Sequence, residues 1–165
     1  MKIIKLTLSA FTVIFFLTGC GFQMRGDWNL PPSMQNTVIS GNYTRDMYDE
    51  LKRNFQSASA TLSKDPSSSV SAKLRIHEDR SDRRIMSVDV TGKALEYELY
   101  YILRFDVVRP DGVQIVPMQR IVLTRNYLFE DTQVIGSSRE ENLLKIDLRK
   151  DVARDLMRRL QAQAG

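Results

Sequence analysis

The only cysteine of this 165-residue chain stands at the end of an apolar segment near the N-terminus. Leu17-Thr18-Gly19-Cys20 is the small-residue sequence in which bacterial lipoprotein signal peptidase cuts, between Gly19 and Cys20, once the thiol carries a diacylglyceryl group. Cys20 is therefore predicted to be the acylated first residue of the mature protein. The alternative, a buried free cysteine that behaves as a small hydrophobic residue, would place it on an amphipathic element instead.

Residues 1–19 have the pattern of a secretory signal peptide. Two lysines precede Leu6–Phe16, an uncharged apolar run that is shorter than the roughly 20 residues needed to cross a bilayer. We predict a lipoprotein signal peptide over residues 1–19, a lipidated tether over 20–33 and a single domain over 34–165. Acyl chains contribute roughly 0.8 kcal/mol per buried CH2, so they should hold the domain on a membrane. Because Gly21 rather than aspartate follows the cysteine, we expect the inner leaflet of the outer membrane, on the periplasmic side.

Catalytic chemistry would depend on His77, the only histidine. It follows a run in which Ala72, Leu74 and Ile76 alternate with polar residues, so we predict an exposed strand histidine rather than a catalytic base. No nucleophile motif or glycine-rich phosphate loop accompanies it. Successive strand side chains point to opposite faces, so the His-Glu-Asp run cannot hold a metal ion. The sequence therefore predicts neither an enzyme nor a metal or cofactor site.

Charge gives no general argument for a polyanionic partner. The chain has 24 basic and 20 acidic residues and a net charge of +4, which falls to +2 when Lys2 and Lys5 leave with the signal peptide. Nucleic acid is therefore not expected as a partner. Any anion would have to be held by a local basic patch.

Basic residues could form such a patch at one end of the domain. Three arginines fall in one polar segment, and two further cations stand where the next strand and the last helix begin: Arg80, Arg83, Arg84, Lys93 and Arg139. Guanidinium groups pair with phosphate through two parallel hydrogen bonds, so lipid phosphates would suit this cluster. The alternative is an ordinary solvated loop, since Asp79 and Asp82 dilute its charge.

The first half of the domain predicts a strand, a helix and a second strand. Thr37–Ile39 is a short β-branched run bounded by turn-forming residues. Thr44 can cap a helix that runs to about Ala58, because apolar side chains recur there at helical spacing. A serine-rich loop over Ser63–Ser71 then leads to the alternating strand that contains His77.

The middle of the chain predicts a long antiparallel hairpin. Residues 79–93 are polar and rich in arginine, and we expect a protruding connection or a frayed strand edge there. Ala94–Val108 has apolar residues at every second position, and Pro110-Asp111-Gly112 predicts a turn into the second arm, residues 113–129. Pro117 has no N–H to donate to a ladder, so it indicates a bulge or an edge position.

The last predicted element is a helix. Ser138 and Glu141 have the spacing of a capping box, which predicts that the helix begins at Ser138. Its apolar side chains recur every three or four residues and should face a sheet: Leu143, Leu144, Leu148, Val152, Ala153, Leu156, Met157 and Leu160.

These elements together predict an α+β domain in which two helices pack on a mostly antiparallel four-stranded sheet. Tyr100, Ile102 and Val108 fall on the second face of that sheet. This face is therefore partly apolar and could meet a partner, although scattered apolar residues on a surface are also common.

Four stretches of the mature sequence resemble the LptE family, the outer-membrane lipoproteins that partner the LptD β-barrel in lipopolysaccharide assembly. They are "CGFQMRG" at the lipidation site followed by Leu30-Pro31, "LEYEL" at Leu95–Leu99, "IVP" at Ile115–Pro117, and "RNYLF" before the last helix. Their order and spacing, together with the lipidation sequence, extend the resemblance over essentially the whole mature chain.

The resemblance implies a function without covalent chemistry. Members of the LptE family sit as a plug inside the LptD barrel, assist its assembly and interact with lipopolysaccharide on its way to the cell surface. The family's basic contact positions correspond to Val90 or Thr91 and to Ser137, and the nearest cations in this chain are Lys93 and Arg139. The candidate contacts for lipopolysaccharide phosphates are Arg83, Arg84, Lys93 and Arg139.

Three other classes of protein stay open. They are an auxiliary lipoprotein of another periplasmic lipid-transport system, a lysozyme inhibitor, and a cell-wall enzyme with an unrecognised site. A lysozyme inhibitor would need a protruding loop that fits an enzyme cleft. A lipoprotein of another transport system should lack stable association with an outer-membrane barrel.

Overall fold

The computed structural model describes residues 28–66, 70–129 and 134–163. The predicted signal peptide, Cys20 and the tether up to residue 27 lie outside the described residues. A short 3-10 turn at Pro32–Met34 precedes the main elements. The strands are β1 (Asn36–Gly41), β2 (Thr61–Ser63), β3 (Ala72–Val88), β4 (Ala94–Val108) and β5 (Gln114–Leu128), and the helices are α1 (Arg45–Ser57) and α2 (Val134–Gln163).

All five strands belong to one mixed sheet with the order β2-β1-β3-β4-β5. Strand β1 runs parallel to β2 and β3, whereas the long β3–β4 and β4–β5 pairs are antiparallel. The prediction of an α+β domain with two helices is confirmed, but the sheet has one strand more than the four predicted. The additional strand, β2, has three residues. That is too short for an alternating pattern to distinguish it from a loop.

The three longest strands continue past β1 as a ribbon. β1 ends at Gly41, opposite Ile76, whereas β3 runs on to Val88 alongside β4. The protruding connection predicted for residues 79–93 is therefore wrong for residues 79–88, because pairing with the apolar β4 overrides the low β-propensity of this polar segment. From Glu78 onward β3 pairs only with β4, so it does form an edge of the sheet.

The turn between β4 and β5 agrees with its sequence signals. The N–H of Arg109 donates to the carbonyl of Val113 at 2.8 Å, and Gly112 has a φ of +88°, which favours glycine. Pro117 lies on edge strand β5 within a bulge, where the register moves from Gln119 opposite Phe105 to Val116 opposite Val107. Both positions predicted for this proline are therefore confirmed.

Both helices pack on one face of the sheet. Thr44 caps α1 as predicted, since its Oγ1 accepts a hydrogen bond from the N–H of Met47 at 3.2 Å. Arg149 of α2 pairs with Asp46 of α1, with 2.8 Å between Nη1 and Oδ2. The core between the helices and β4 contains Leu99, Tyr101, Leu103, Phe105, Val107, Leu148, Val152, Leu156 and Leu160. Neither of the helices in the described part of the chain covers the other face of the sheet.

The second helix begins earlier than predicted. Because α2 starts at Val134, one turn ahead of Ser138, the predicted capping box is wrong. The carboxylate of Glu141 instead accepts hydrogen bonds from Tyr127 and Lys145. Leu143, which was predicted to face the sheet, is 57% exposed, while the other apolar positions from Leu148 onward are buried as predicted.

Candidate functional site

The four predicted phosphate contacts lie toward the end of the ribbon that is farthest from β1. The N–H of Phe129 donates to the carbonyl of Leu95 at 2.8 Å, so the end of β5 meets the start of β4 there. Arg83 reaches Glu141 of α2 at 2.5 Å. We call this region the distal end; it comprises residues 83–98, 126–129 and 138–145.

Arg83 connects β3 to α2 on the side of the sheet that carries the helices. Its Nη1 donates to Oε2 of Glu141 at 2.5 Å and to Oη of Tyr127 at 3.3 Å. Its guanidinium carbon lies 4.6 Å from the centroid of the Tyr97 ring, within range of a cation–π interaction. The charge of Arg83 is therefore already engaged within the protein.

Glu141 is the acceptor shared by these groups. The hydroxyl of Tyr127 donates to Oε2 at 2.7 Å, and Nζ of Lys145 donates to Oε1 at 2.5 Å. Burial works to raise the pKa of Glu141, but the hydrogen bonds from Lys145 and Tyr127, together with the charges of Lys145 and Arg83, hold it below its usual value. Glu141 is accordingly ionised at neutral pH and fixes the position of α2 against the sheet.

Arg84 belongs to the opposite face of the sheet. Successive strand residues alternate between faces, and Arg84 pairs there with Glu98, with 2.6 Å between Nη2 and Oε2. Oε2 of Glu98 has no hydrogen-bond partner despite this short distance, so the contact is an ion pair only. The structure therefore does not bring Arg83 and Arg84 into one site, although they are adjacent in sequence.

Lys93 closes the turn between β3 and β4. Its N–H donates to Oδ1 of Asp89 at 3.0 Å, and its carbonyl accepts from the N–H of Asp89 at 2.8 Å. Hydrogen bonds from Thr91 and Lys93 hold the pKa of Asp89 below its usual value. Arg139 is exposed on α2 and makes no ion pair with any residue in the described parts of the chain. Lys93 and Arg139 are both exposed, as is Arg83.

Exposed apolar side chains are concentrated at the distal end, a feature that the sequence predictions missed. Val90, at the tip of the β3–β4 turn, is fully exposed, and Leu128 at the end of β5 is 70% exposed. The remaining exposed apolar residues of this region are Ile85, Met86, Val88, Leu95 and Leu143. The signal available in the sequence was the occurrence of Ile85 and Met86 inside an otherwise polar segment. Patches of this kind mark contact with a partner or with lipid.

A polar groove of about 440 Å3 separates β3 from α2 beside this patch. It is lined by Ser81, Asp82, Arg83, Ser138, Glu141, Asn142 and Lys145. Two basic and two acidic side chains line the groove, so it has no net positive charge with which to hold phosphate.

The structure places the candidate catalytic histidine away from the distal end. Nε2 of His77 lies 3.0 Å from Oδ1 of Asp106, and the same carboxylate accepts hydrogen bonds from Arg75. Among the described residues there is no group of three or more His, Cys, Asp or Glu side chains that could hold a metal ion. No helix in the described part of the chain is both long and apolar enough to span a membrane.

The fold is shared with solved structures of bacterial lipoproteins. The solution NMR structure of the uncharacterized lipoprotein B from Nitrosomonas europaea superposes with a TM-score of 0.72 at 25% identity, covering 86% of this chain and 91% of that chain. A minor lipoprotein from Acinetobacter baumannii has a TM-score of 0.66 at 20% identity, covering 80% of this chain and 94% of that chain. The chain therefore has the fold of a class of small α+β lipoproteins.

Residues 31–160 match the family model LptE, described as lipopolysaccharide-assembly. The chain belongs to this family, so the resemblance found in the sequence is confirmed. It is 26% identical over 159 residues to the LPS-assembly lipoprotein LptE of Photorhabdus laumondii, covering 94% of this chain and 84% of that protein. It is 23% identical over 159 residues to the protein of the same name from Pectobacterium atrosepticum, covering 93% and 83%. The family is described by an assembly process and not by a catalysed reaction.

Proposed function

We propose that this protein is a lipid-anchored outer-membrane lipoprotein that plugs an LptD-type β-barrel, assists assembly of that barrel, and takes part in lipopolysaccharide transport to the cell surface. The distal end is the observation that carries the proposal. It exposes apolar side chains beside cations in a chain that belongs to the LptE family. An acylated and phosphorylated ligand, or the wall of a barrel, would cover groups that water solvates poorly.

The proposed anchor depends on the N-terminal segment. Residues 1–19 would be removed as a signal peptide, Cys20 would carry the acyl chains, and residues 20–33 would tether the domain over residues 34–165 to the inner leaflet. Two or more acyl chains give stable membrane attachment where one gives only marginal binding. The proposed role requires no covalent step, which accords with the prediction that the protein is not an enzyme.

The proposed lipopolysaccharide contacts fall into two groups. Arg83 and Arg84 are paired with Glu141 and Glu98, so a ligand phosphate would have to compete with those carboxylates. Lys93 and Arg139 are proposed as the direct contacts because they are the cations nearest to the family's basic contact positions. Arg83 and Arg84 then contribute by positioning the strands and the helix around them.

Charge reversal tests this assignment. Lipopolysaccharide binding would be measured with the full-length, lipidated protein in detergent, for the wild type and for the double variant Lys93→Glu/Arg139→Glu. Replacement of two attractive charges by two repulsive ones should weaken binding about tenfold or more, equivalent to about 1.4 kcal/mol. The control variant Lys52→Glu/Arg158→Glu makes the same charge change on the helices, away from the distal end, and should bind as the wild type does. Equal binding by all three proteins would overturn the assignment.

A further inference from the structure

Three arginines surround one carboxylate on the sheet face that the helices leave uncovered. Arg104 of β4 stands directly opposite Arg120 of β5, and Glu78 of β3 is paired with Arg104 on the other side. Arg80 lies two residues along β3 on the same face. We call these four residues the outer arginine cluster. They are distinct from the distal end, because Arg104 lies six residues beyond Glu98 on β4, about 20 Å at the rise of a strand.

The cluster has more positive than negative charge. Nε of Arg80 donates to Oε1 of Glu78 at 2.7 Å, whereas Nη1 of Arg104 lies 3.9 Å from Oε2 of the same carboxylate. The side chain of Arg120 makes no hydrogen bond or ion pair with the residues that the structure describes. The hydrogen bond from Arg80 and the charges of all three arginines hold the pKa of Glu78 below its usual value. The carboxylate of Glu78 thus contacts two of the three guanidinium groups and is the only negative charge among these four residues.

The opposed positive charges of Arg104 and Arg120 repel each other unless an additional anion lies between them. Directly opposed residues of an antiparallel pair have their Cβ atoms about 4.5–5.5 Å apart, and like charges at that position destabilise the pairing. An anion with several oxygen atoms could accept from both guanidinium groups and replace their repulsion by charge-assisted hydrogen bonds. Phosphate has the oxygen geometry that the guanidinium fork matches.

The neighbouring row on this face holds Arg80, Ile102 and Val122. Ile102 and Val122 are paired across β4 and β5, one row from Arg104 and Arg120 on the same face. Val122 is 40% exposed, whereas Ile102 beside it is only 5% exposed, and neither of the two described helices covers this face. Tyr100, Ile102 and Val108 lie there as the sequence predicted. A phosphate that carries an acyl chain would contact both rows, whereas inorganic phosphate would contact only the arginines.

We infer that the outer arginine cluster binds the phosphate of a phosphorylated glycolipid, with Arg104 and Arg120 as its two guanidinium contacts and Val122 beneath its acyl portion. The inference rests on the proposed function, because lipopolysaccharide supplies such a ligand. It deepens that function by assigning a second ligand site, on a different face from Lys93 and Arg139.

The test compares phosphorylated and dephosphorylated lipid A. Full-length, lipidated protein in detergent would be titrated with each lipid, for the wild type and for Arg104→Gln/Arg120→Gln. The affinity of the variant for diphosphorylated lipid A should fall about tenfold or more, as expected when charge-assisted hydrogen bonds are lost. Its affinity for the dephosphorylated lipid should not change. The control variant Arg45→Gln/Arg158→Gln removes the same charge from the helices and should behave as the wild type does.

Several outcomes would overturn the inference. Equal affinity of the wild type and the Arg104→Gln/Arg120→Gln variant for diphosphorylated lipid A would do so, provided that both proteins have the same melting temperature. Displacement of the lipid by inorganic phosphate at equal concentration would identify a free-anion site instead. Loss of a co-purifying barrel with lipid A affinity retained would identify an acidic protein surface as the partner. If the wild type binds no lipid A at all, the proposed function fails as well, so the two failures are distinguishable.

Discussion

Glu141 is the residue on which the geometry of the distal end depends most. Replacement by Gln removes its charge at nearly constant size and leaves Arg83 and Lys145 without their shared anion. We expect the free energy of unfolding to fall by about 1 kcal/mol at pH 7, as for a partly solvated ion-pair network. The folded state holds the pKa of Glu141 below its unfolded value of about 4.3, so the stabilisation is present above that pH. It is lost as the pH falls through the folded-state pKa.

Urea unfolding of the wild type and Glu141→Gln at neutral and strongly acidic pH measures this dependence. The two proteins should differ at pH 7 and converge in acid, where the wild-type carboxyl is protonated. Glu140→Gln serves as the control, because Glu140 is an exposed neighbour on the same helix. A difference that persists unchanged in acid would show that packing, and not charge, is what the substitution removes.

Residue type alone identified the cations but not their partners. The basic side chains and Cys20 were found from local sequence, because their chemistry is a property of single residues. The contact between Arg83 and Glu141 joins positions 58 residues apart and depends on the strand register and on where α2 begins. A local pattern assigned Glu141 to a capping box, and tertiary contacts determined its actual role.

Asp79 connects three elements and is the point where β3, β4 and α1 are fixed together. Its Oδ2 accepts from the N–H and the hydroxyl of Thr44 at 2.6 and 2.8 Å, and its Oδ1 accepts from the buried hydroxyl of Tyr101 at 2.5 Å. Asp79→Ala would leave the buried hydroxyl of Tyr101 without its acceptor. We expect the free energy of unfolding to decrease by about 1–3 kcal/mol, measured by chemical denaturation.

A double-mutant cycle with Tyr101→Phe isolates the contact between β3 and β4. The loss in the double variant should be smaller than the sum of the two single losses, since each single change already breaks the same hydrogen bond. Asp82→Ala, an exposed position on the same strand, controls for loss of a strand carboxylate. Strict additivity of Asp79→Ala and Tyr101→Phe would contradict a direct coupling between these side chains.

The elements with a strong periodic pattern were predictable, and those stabilised by a neighbour were not. Apolar residues occur at every second position from Leu95 to Val107, and this run was predicted as the clearest strand and lies within β4. The second half of β3 has no such pattern and is a strand because β4 lies beside it. The three-residue β2 likewise depends on its pairing with β1. Long-range pairing is the information that the local sequence lacks.

The proposed attachment to the membrane affects the whole molecule, and substitution of Cys20 tests it. Cys20→Ser should abolish acylation and release the protein from the membrane fraction, because no thiol remains to carry the lipid. Mass measurement of the mature protein and membrane fractionation would show both effects. Gly21→Asp keeps the cysteine and should instead retain the acylated protein in the inner membrane. Unchanged fractionation of the Cys20→Ser variant would contradict the proposed anchor.

The two long faces of the molecule have different surroundings in the proposed complex. One face of the sheet is covered by α1 and α2, and the other, which neither of these helices covers, carries the outer arginine cluster. The distal end adds a third surface, with apolar side chains that no described element covers. A plug inside a barrel would be surrounded on all three surfaces.

Recovery of the protein in equal amounts with a β-barrel tests the proposed plug function most directly. The tagged, lipidated protein would be purified from detergent-solubilised outer membranes, and its partners identified by mass. We expect a one-to-one complex with a large outer-membrane β-barrel. This complex should be lost in the variant Val90→Asp/Leu128→Asp, which places two charges at the distal end. The complex should be retained in Val113→Asp/Met118→Asp, at exposed apolar positions in and near the turn between β4 and β5. Recovery of the protein alone, or with inner-membrane transporter subunits, would contradict the plug and favour an auxiliary lipoprotein of another lipid-transport system.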